Sequence, residues 1–382
     1  MPAPPSRDAM SLPALADRCV QCGLCLPHCP TYRLDASEAE SPRGRIAYAK
    51  AVSTGQLAPT PVGDRHLDHC LGCLRCEQVC PAGVEYGSLL NLARAEHASR
   101  RPRPIVQRLR LGLLARPFWL TRLLGLYRLA YGWLPTTWRS LPRPPEPLAR
   151  SPLLPPTHPE AGSGLAVFSG CVASVYETNV RAALELCLGS LGMRSVPTSA
   201  QGCCGTASLH AGDTAMAERL ADSNRRAFAR VETVICLATG CRDVLGRNLA
   251  GTSTVLDALA FLHRCGETLR FRSAGGRRVA LHLPCSQRSD PDSLIATRAL
   301  LARIPDLDVQ ELPDTGCCGA AGLHMLEERE RAERLRAPLI EAMQRNDGRE
   351  LLSANIGCRL HLANGTTMPV RHPIEFLAEH LA

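Results

Sequence analysis

Two cysteine runs with identical spacing carry the chemistry of the first hundred residues. Residues 19–30 read CVQCGLCLPHCP and residues 70–81 read CLGCLRCEQVCP, so both follow C-x2-C-x2-C-x3-C-P. Thiolates at i, i+3 and i+6 can surround one face of a cubane, which leaves one iron in need of a fourth ligand. Structural zinc uses pairs of C-x2-C rather than a triple run that C-P closes. The runs therefore predict two [4Fe–4S] clusters.

The fourth cysteine of each run decides how the two clusters are held. In two-cluster ferredoxins, that cysteine ligates the cluster of the other run. The motif therefore predicts one cluster on Cys19, Cys22, Cys25 and Cys80, and a second on Cys70, Cys73, Cys76 and Cys29. The 40 residues between Cys29 and Cys70 include SPRGRIAYAKAVSTG, which predicts a helix after Pro42. This long helical spacer resembles the α-helical ferredoxin domains of respiratory dehydrogenase subunits.

A second set of cysteines repeats along the C-terminal half of the chain. QGCCGTASLH at 201–210 returns as TGCCGAAGLH at 315–324. Aligning the strings pairs Cys171 with Cys285, Cys203 with Cys317 and Cys204 with Cys318 at an offset of 114, and Cys241 with Cys358 at 117. Each copy opens on a strand-like run, GLAVFSGC or RVALHLPC, and becomes helical after the CCG string. This alternation predicts two α/β units related by internal duplication.

The adjacent cysteines of each copy have three interpretations. They could ligate an iron–sulfur cluster, ligate zinc structurally, or act as a redox dithiol. Four thiolates from three loops suffice for one tetrahedral metal or one cluster, whereas a disulfide between adjacent cysteines closes a strained ring. We therefore expect metal or cluster ligation by the repeated cysteines, which are Cys171, Cys203, Cys204, Cys241, Cys285, Cys317, Cys318 and Cys358.

Other residues near these cysteines are less diagnostic. Cys236 could supply a fifth ligand in the first copy, although nothing matches it in the second. His210 and His324 occupy matched positions, where a lone histidine is most often a packing or capping residue. Cys187 and Cys265 lack repeat partners, so we expect them to be small buried hydrophobic residues.

The order of the cysteine motifs resembles a known family. The repeat is similar to the CCG, or cysteine-rich, domain found twice in heterodisulfide-reductase-like proteins. With two ferredoxin runs upstream, the chain resembles the iron–sulfur subunit of glycolate oxidase, and more loosely those of anaerobic glycerol-3-phosphate dehydrogenase and the lactate-utilisation complex. LLSANIGCRLHL at 351–362 is similar to the segment around the last cysteine of glycolate oxidase subunits. The chain departs from heterodisulfide reductases because RD follows Cys241 and RL follows Cys358, so the final C-x2-C and its fifth thiolate are missing.

The resemblance implies an oxidoreductase subunit that transfers electrons. It implies a partner chain whose flavin oxidises a 2-hydroxy acid, glycolate, and a membrane quinone as the electron acceptor. The sequence has no G-x-G-x-x-G after a strand, no P-loop and no Ser-His-Asp signature, which favours an electron conductor. The alternatives are a subunit of a lactate or glycerol-3-phosphate dehydrogenase, a heterodisulfide-reductase-like catalytic subunit acting at the CCG site, and a scaffold with zinc in the CCG copies.

A basic, aromatic stretch separates the two cysteine blocks. Residues 97–145 contain many arginines, no Asp or Glu, and every tryptophan of the chain. One predicted helical face holds Leu120, Leu123, Leu124, Tyr127 and Tyr131, with Arg122 opposite. A basic amphipathic helix is typical of peripheral membrane contact, here through 105–138, and also of packing on the protein's own core or on a partner. The proline-rich residues 141–156 predict a linker.

Length and composition complete the prediction. The chain has 382 residues and 19 cysteines, without an apolar signal region or a membrane-spanning stretch. We therefore expect a cytoplasmic protein, peripheral on the inner face of the cell membrane, and the net charge of +8 does not indicate nucleic-acid binding. The predicted fold is multidomain α+β. Its parts are a two-cluster α-helical ferredoxin domain (1–98), basic helices and linker (99–160), a first CCG domain (161–270) and a second (271–382).

Overall fold

The computed structural model of the chain describes residues 11–146, 164–198, 200–345 and 350–382 as a mixed helix and sheet structure. The predicted linker at 141–156 lies mostly outside the described residues. The described residues form two compact units. The first unit contains the chain up to Arg103 together with Ala207–Thr214 and Thr315–Leu335. The second contains Pro104–Thr206, Ala215–Asp314 and Arg336–Ala382.

Helices dominate the first part of the chain, and strands alternate with helices in the rest. The first helices are α1 (Leu12–Ala16), α2 (Pro30–Asp35), α3 (Pro42–Ser53), α4 (Pro61–Asp68), α5 (Arg75–Gln78), α6 (Tyr86–Arg100), α7 (Ile105–Leu114) and α8 (Pro117–Ala130). The later elements are β1 (Leu165–Phe168), α9 (Ala173–Tyr176), α10 (Thr178–Ser190), α11 (Thr206–His210), α12 (Thr214–Ala227), β2 (Thr233–Cys236), α13 (Thr239–Asn248), β3 (Thr254–Asp257), α14 (Ala258–Cys265), β4 (Arg278–His282), α15 (Cys285–Arg288), α16 (Pro291–Ala302), β5 (Asp308–Glu311), α17 (His324–Glu327), α18 (Arg329–Arg345), β6 (Leu351–Ser353), α19 (Ile356–Ala363), β7 (Val370–Arg371) and α20 (Pro373–Glu379). Two 3₁₀ turns, Glu38–Glu40 and Thr136–Trp138, complete the set of described elements.

Helix α3 begins at Pro42, where the sequence predicts a helix. The Ser41 hydroxyl accepts a hydrogen bond from the Gly44 amide at 2.9 Å, and Pro42 fills the first helical position. Helix α3 packs against α1 and α6. Their apolar side chains, with others from the first unit, form one core that includes Leu12, Leu15, Ile46, Leu67, Leu89 and Leu90. This core supports the loops that carry the N-terminal cysteine runs.

Two parallel sheets lie in the second unit. One has the strand order β1-β2-β3, with Ala166 opposite Val234 and Val234 opposite Val255. The other has the order β5-β4-β6-β7, with Val279 opposite Val309. The inner strands β2, β4 and β6 are short apolar runs, mostly buried, as strands covered by helices on both faces must be.

One hydrophobic core serves both sheets. It includes Leu165 and Ile235 from the first sheet and Val279 and Leu352 from the second. Helix α10 packs on α20, and α14 packs on α16, so helices that follow different sheets contact each other. The two sheets therefore stabilise each other, because each helps to bury the apolar surface of the other.

The carboxyl ends of the strands carry repeated cysteines. Cys171 follows β1 and Cys241 follows its neighbour β2, while Cys285 follows β4 and Cys358 follows its neighbour β6. Parallel strands that are neighbours end at the same edge of a sheet, which is where α/β folds place binding sites. The sequence of each sheet thus places two of its cysteines at one edge.

Helix α8 has two apolar faces rather than the one that the sequence predicts. Leu120 and Leu124 are buried, and the Tyr127 hydroxyl donates to the Leu141 carbonyl at 2.7 Å. Leu123 is 49% exposed, so it lies at the margin of this face and the protein does not bury it. A turn of 100° per residue puts Leu123 about 60° from Leu120. Instead, a second apolar face is exposed, and it holds Phe118, Trp119, Leu123, Leu126 and Leu129. None of the described helices is long and apolar enough to cross a membrane.

Candidate metal centres

Two cavities of the first unit group the N-terminal cysteines. The first cavity, which we call site I, has an empty volume of about 440 Å³ including its open mouth, and its lining includes Cys19, Cys22, Cys25 and Cys80. The second cavity, site II, has about 290 Å³, and its lining includes Cys29, Cys70, Cys73 and Cys76. Each lining includes the four cysteines that the crossover motif assigns to one cluster, and ligation by them stays a prediction. Cys76 also lines site I, so this residue lies between the two cavities.

The loop of the second run takes its shape from Gly72. This glycine has φ +59, a left-handed conformation that favours glycine, and a Cβ there would lie 2.8 Å from Nε2 of His210. His210 therefore packs on the C-L-G-C loop, in keeping with the packing role expected from the sequence. The Nδ1 atom of His324 lies 3.0 Å from the Gly319 carbonyl oxygen, which is a local contact beside the second CCG string.

Polar groups surround the sulfur atoms of site II. The Tyr86 hydroxyl donates to Sγ of Cys70 at 3.5 Å, and Oγ1 of Thr31 lies 3.2 Å from Sγ of Cys29. Desolvation acts to raise the pKa of Cys70, but the charges of Arg45 and Arg94 outweigh it and hold that pKa below its ordinary value. Site II therefore favours a thiolate at Cys70, the form that binds iron.

The environment of Arg94 indicates whether site II fits an anionic cluster. Its side chain is 3% exposed, and Nη2 donates to the carbonyls of Leu67, Asp68 and Cys70 at 2.9, 3.2 and 2.6 Å. Among the described residues, Nε and Nη1 of Arg94 have no hydrogen-bond partner, and no carboxylate pairs with this guanidinium. A buried cation without a counter-charge is costly. A cluster with four thiolate ligands is anionic and would supply that charge, so the residues of site II fit a [4Fe–4S] cluster.

A carboxylate that no motif predicts lies beside site II. The Oε1 atom of Glu40 is 2.7 Å from Nδ1 of His66 and 2.6 Å from Nδ1 of His69. Its Oε2 atom accepts from Arg45 at 2.6 Å and from Arg331 at 2.9 Å. Glu40, His66 and His69 bring three possible metal ligands within 4.8 Å of one another. Two guanidinium groups on the same carboxylate would repel a cation, so we interpret the cluster as an ion-pair network.

The four cysteines of the first CCG copy come together in the second unit. Hydrogen bonds with Cys171 and Cys204, and then burial, raise the pKa of Cys203 well above its ordinary value. Hydrogen bonds from Cys203 and Cys241 hold the pKa of Cys204 well below its ordinary value. The four sulfur atoms are thus connected by hydrogen bonds, with a thiolate favoured at Cys204. Such a group can bind one tetrahedral metal or a cluster.

Neighbouring polar side chains position the first CCG string. Asn224 is fully buried, and its amide accepts from the Gly202 nitrogen at 2.9 Å and donates to the Cys203 carbonyl at 2.9 Å. Oγ1 of Thr206 lies 3.2 Å from Sγ of Cys204. Cys236 is also buried, but its thiol donates to the Ala238 carbonyl at 3.3 Å. That bond engages its proton with a backbone carbonyl.

The cysteines of the second CCG copy are divided between the two units. Cys317 and Cys318 are buried in the first unit, where Sγ of Cys317 accepts from the Gly319 amide at 3.5 Å. Cys285 and Cys358 belong to the second unit, each in the first turn of a helix. Ligation by these four residues stays a prediction.

A hydrogen-bond network joins three cysteine loops within the second unit. The hydroxyls of Thr239 and Ser286 are 2.8 Å apart, and the Asn355 amide donates to Ser286 at 3.1 Å. The carbonyl oxygen of Asn355 caps α19 by accepting from the Gly357 amide at 2.9 Å. Each of the three polar residues lies within three positions of Cys241, Cys285 or Cys358. The network therefore fixes the loops of both CCG copies relative to one another.

The unmatched cysteines have different environments. Cys187 is buried in the core of the second unit, as the sequence predicts. Cys265 is exposed at the end of α14, so the prediction that it is buried is wrong. The last turn of an amphipathic helix carries residues past the edge of the core, which explains the difference. All 19 cysteines are free of disulfides.

Comparison with known proteins agrees with both cysteine blocks. Residues 15–84 match the 4Fe-4S dicluster domain family, and residues 165–245 and 279–363 both match the cysteine-rich CCG domain family. The glycolate oxidase iron–sulfur subunit of Escherichia coli is 29% identical over 98% of this chain and 96% of its own length. The probable glycolate oxidase iron–sulfur subunit of Bacillus subtilis is 30% identical over 91% and 88%, respectively. One component of the dihydromethanophenazine:CoB–CoM heterodisulfide reductase of Methanosarcina barkeri is 23% identical over 83% and 82%. The chain belongs to the family of glycolate oxidase iron–sulfur subunits.

Proposed function

We propose that this chain is the iron–sulfur electron-transfer subunit of a glycolate oxidase complex. It is an oxidoreductase subunit, and the flavin that oxidises the 2-hydroxy acid is on a partner chain. The proposal rests on the pair of cysteine-lined cavities, which are adjacent because Cys76 lines both of them. Two one-electron centres so close together suit the transfer of single electrons from a flavin that accepts two. The similarity to glycolate oxidase subunits over nearly the whole chain supports the choice of complex.

The ligands that we assign follow the crossover motif and the repeat. Site I holds one [4Fe–4S] cluster and site II the other. The first CCG copy holds a further cluster or zinc on Cys171, Cys203, Cys204 and Cys241, and the second copy does so on Cys285, Cys317, Cys318 and Cys358. We further propose that the two CCG copies arose by duplication. The proposed domains are the ferredoxin domain (1–98), the basic helices and linker (99–160), the first CCG domain (161–270) and the second CCG domain (271–382).

The metal content of the chain tests this assignment. Iron, acid-labile sulfide and zinc are measured on protein purified without oxygen. About eight irons with one or two zincs would make the CCG copies structural, whereas about twelve to sixteen irons without zinc would make them cluster sites. A chain without iron would refute the proposal as a whole.

Electron transfer itself is tested in the complex. Cys22 lines site I, and Cys265 is an exposed cysteine outside both CCG sets, so C22S and C265S are matched variants. We expect C22S to lower glycolate-dependent quinone reduction at least tenfold. Reduction of a soluble dye directly at the flavin should continue, because the flavin is on another chain. The control C265S should retain both activities. Full quinone reduction by C22S would exclude this chain from the electron path.

The electron acceptor is a membrane quinone, and the chain lies at the cytoplasmic face of the membrane through 105–138. The exposed face of α8 supports this proposal, since Trp119 is 58% and Leu126 is 64% exposed in a segment without acidic residues. Vesicles with anionic or neutral lipids provide the test. The double variant W119S/L126S should lose binding to anionic vesicles, whereas I295S, which removes an exposed side chain of α16, should retain it. Equal binding by both variants would contradict membrane contact.

A heterodisulfide-reductase-like activity is the alternative that the relative from Methanosarcina barkeri makes worth testing. The position of Cys236 close to the first CCG set gives that copy a fifth sulfur nearby. Turnover of a disulfide substrate by the purified chain with a reduced viologen would support this alternative. Absence of turnover by an iron-loaded chain would leave the electron-transfer function.

A further inference from the structure

We propose that Arg94 and Tyr86 raise the reduction potential of the cluster at site II. The inference rests on the proposed ligation of that cluster by Cys29, Cys70, Cys73 and Cys76. It concerns these two side chains, which no cysteine motif includes. Both are 3% exposed and lie on helix α6, which runs beside the second cysteine run.

Arg94 contributes a buried positive charge that no carboxylate among the described residues neutralises. A cluster gains one negative charge on reduction, so a nearby cation favours the reduced form. Arg45 is equally buried, but Glu40 pairs with it at 2.6 Å and offsets its charge. Arg94 has no such carboxylate among the described residues, and its Nη2 lies 2.6 Å from the Cys70 carbonyl. Its charge is therefore offset only by the dipoles of backbone carbonyls and is left to act on the cluster.

Tyr86 contributes a hydrogen bond to a ligand sulfur. Its hydroxyl donates to Sγ of Cys70 at 3.5 Å, and donors to cluster sulfur favour the more electron-rich state. A phenol keeps its proton at neutral pH, so Tyr86 can donate this hydrogen bond.

Burial of the cluster acts in the opposite direction. A less polar environment disfavours the more negative, reduced form. Arg94 lies in the same buried environment, and low polarity also strengthens the attraction between its charge and the reduced cluster.

Site I has a different environment. Cys22 and its neighbour Val20 are exposed, so water screens charges there. Arg43, which donates to the Gln21 carbonyl at 2.9 Å, pairs with Glu38 at 2.7 Å. Removal of Arg94 or Tyr86 should therefore change the potential of site II and leave site I nearly unchanged.

The test is a redox titration of the full chain with its clusters, followed by EPR. Y86F removes one hydroxyl and keeps the ring, and R94Q removes the charge. We expect both to lower the midpoint of the same EPR signal. R94Q should change the reduction equilibrium about tenfold, which is 59 mV for one electron, and Y86F should change it less. R94K, which keeps a positive charge, should restore most of the potential that R94Q loses.

Tyr48 provides the matched control. Its hydroxyl donates to Asp64 at 2.9 Å, and Y48F should leave both potentials unchanged. Iron and sulfide are measured for every variant. If R94Q loses its clusters, the potentials of Y86F and R94K provide the test instead. The proposal is overturned if Y86F leaves every potential unchanged or if the variants move different signals. A wild-type chain without clusters would instead refute the proposed function.

Discussion

Replacement of Glu40 by glutamine should destabilise the first unit more than any change at its surface. The carboxylate is 3% exposed and accepts from His66, His69, Arg45 and Arg331. Burial acts to raise its pKa, but the hydrogen bonds from the two histidines and the charges of the two arginines outweigh it. The pKa of Glu40 falls from 4.5 to about 2.

The shifted pKa gives the magnitude of the effect. Because the folded pKa is depressed, the stabilisation is present above pH 4.5 and is lost as the pH falls through about 2. A shift of this size corresponds to about 3 kcal/mol at pH 7. E40Q removes that contribution and leaves the buried Arg45 facing a neutral amide. We therefore expect E40Q to lower the free energy of unfolding by about 3 kcal/mol.

Urea unfolding of the cluster-loaded chain without oxygen, followed by visible absorbance of the clusters, measures the loss. The matched control is E38Q on the same 3₁₀ turn. Glu38 pairs with Arg43 at 2.7 Å, but its side chain is 50% exposed, so the cost should be less than about 1 kcal/mol. The Glu40 carboxylate contributes its stabilisation throughout the range from pH 7 to pH 5, because both values lie above 4.5, so E40Q should remain less stable than E38Q over that range. Equal midpoints for E40Q and E38Q would refute the reasoning.

Three further changes test other parts of the structure. R359M leaves the carboxylate of Glu177, which is 1% exposed, without its ion pair, and should cost about 3–5 kcal/mol in urea unfolding. Adding E177L should recover most of that loss. G72A should lower the free energy of unfolding by about 1–3 kcal/mol and reduce the iron content, because Gly72 has a φ of +59 and a Cβ there would contact His210. In the double variant G72A/H210A the contact is removed but the left-handed backbone remains. Full recovery of stability in this double variant would show that backbone strain is not the cause. C236S should retain the metal content of the wild type, and a loss of metal would identify Cys236 as a ligand.

Spacing rules predict the features that depend on neighbours in sequence. The C-x2-C-x2-C-x3-C-P runs predict the grouping of cysteines in sites I and II, and Pro42 predicts the start of α3. The apolar runs before Cys171 and Cys285 predict strands, and β1 and β4 lie there. Each of these signals is local, because a ligand spacing or a helix start requires only a few consecutive residues.

Long-range features could not be predicted in the same way. Arg94 and Glu40 belong to no motif, and their importance arises from burial and from partners such as Arg331, 291 residues away. The periodicity of α8 revealed one apolar face, but the second face is interrupted by Arg122, whose guanidinium lies 4.2 Å from the centre of the Phe118 ring. The sequence pattern cannot tell which of two apolar faces the protein itself will cover.

The discontinuous first unit has a consequence for how the protein is made. Its cysteine runs end at Cys80, but the unit is complete only when Ala207–Thr214 and Thr315–Leu335 have been synthesised. Roughly 250 further residues must leave the ribosome first, which takes about 13 to 50 s at ordinary rates of translation. During that time the nascent cysteines lack part of their final surroundings. Cluster delivery must therefore act on an incomplete unit or wait until the chain is released, and oxygen in that interval should lower the yield of loaded protein.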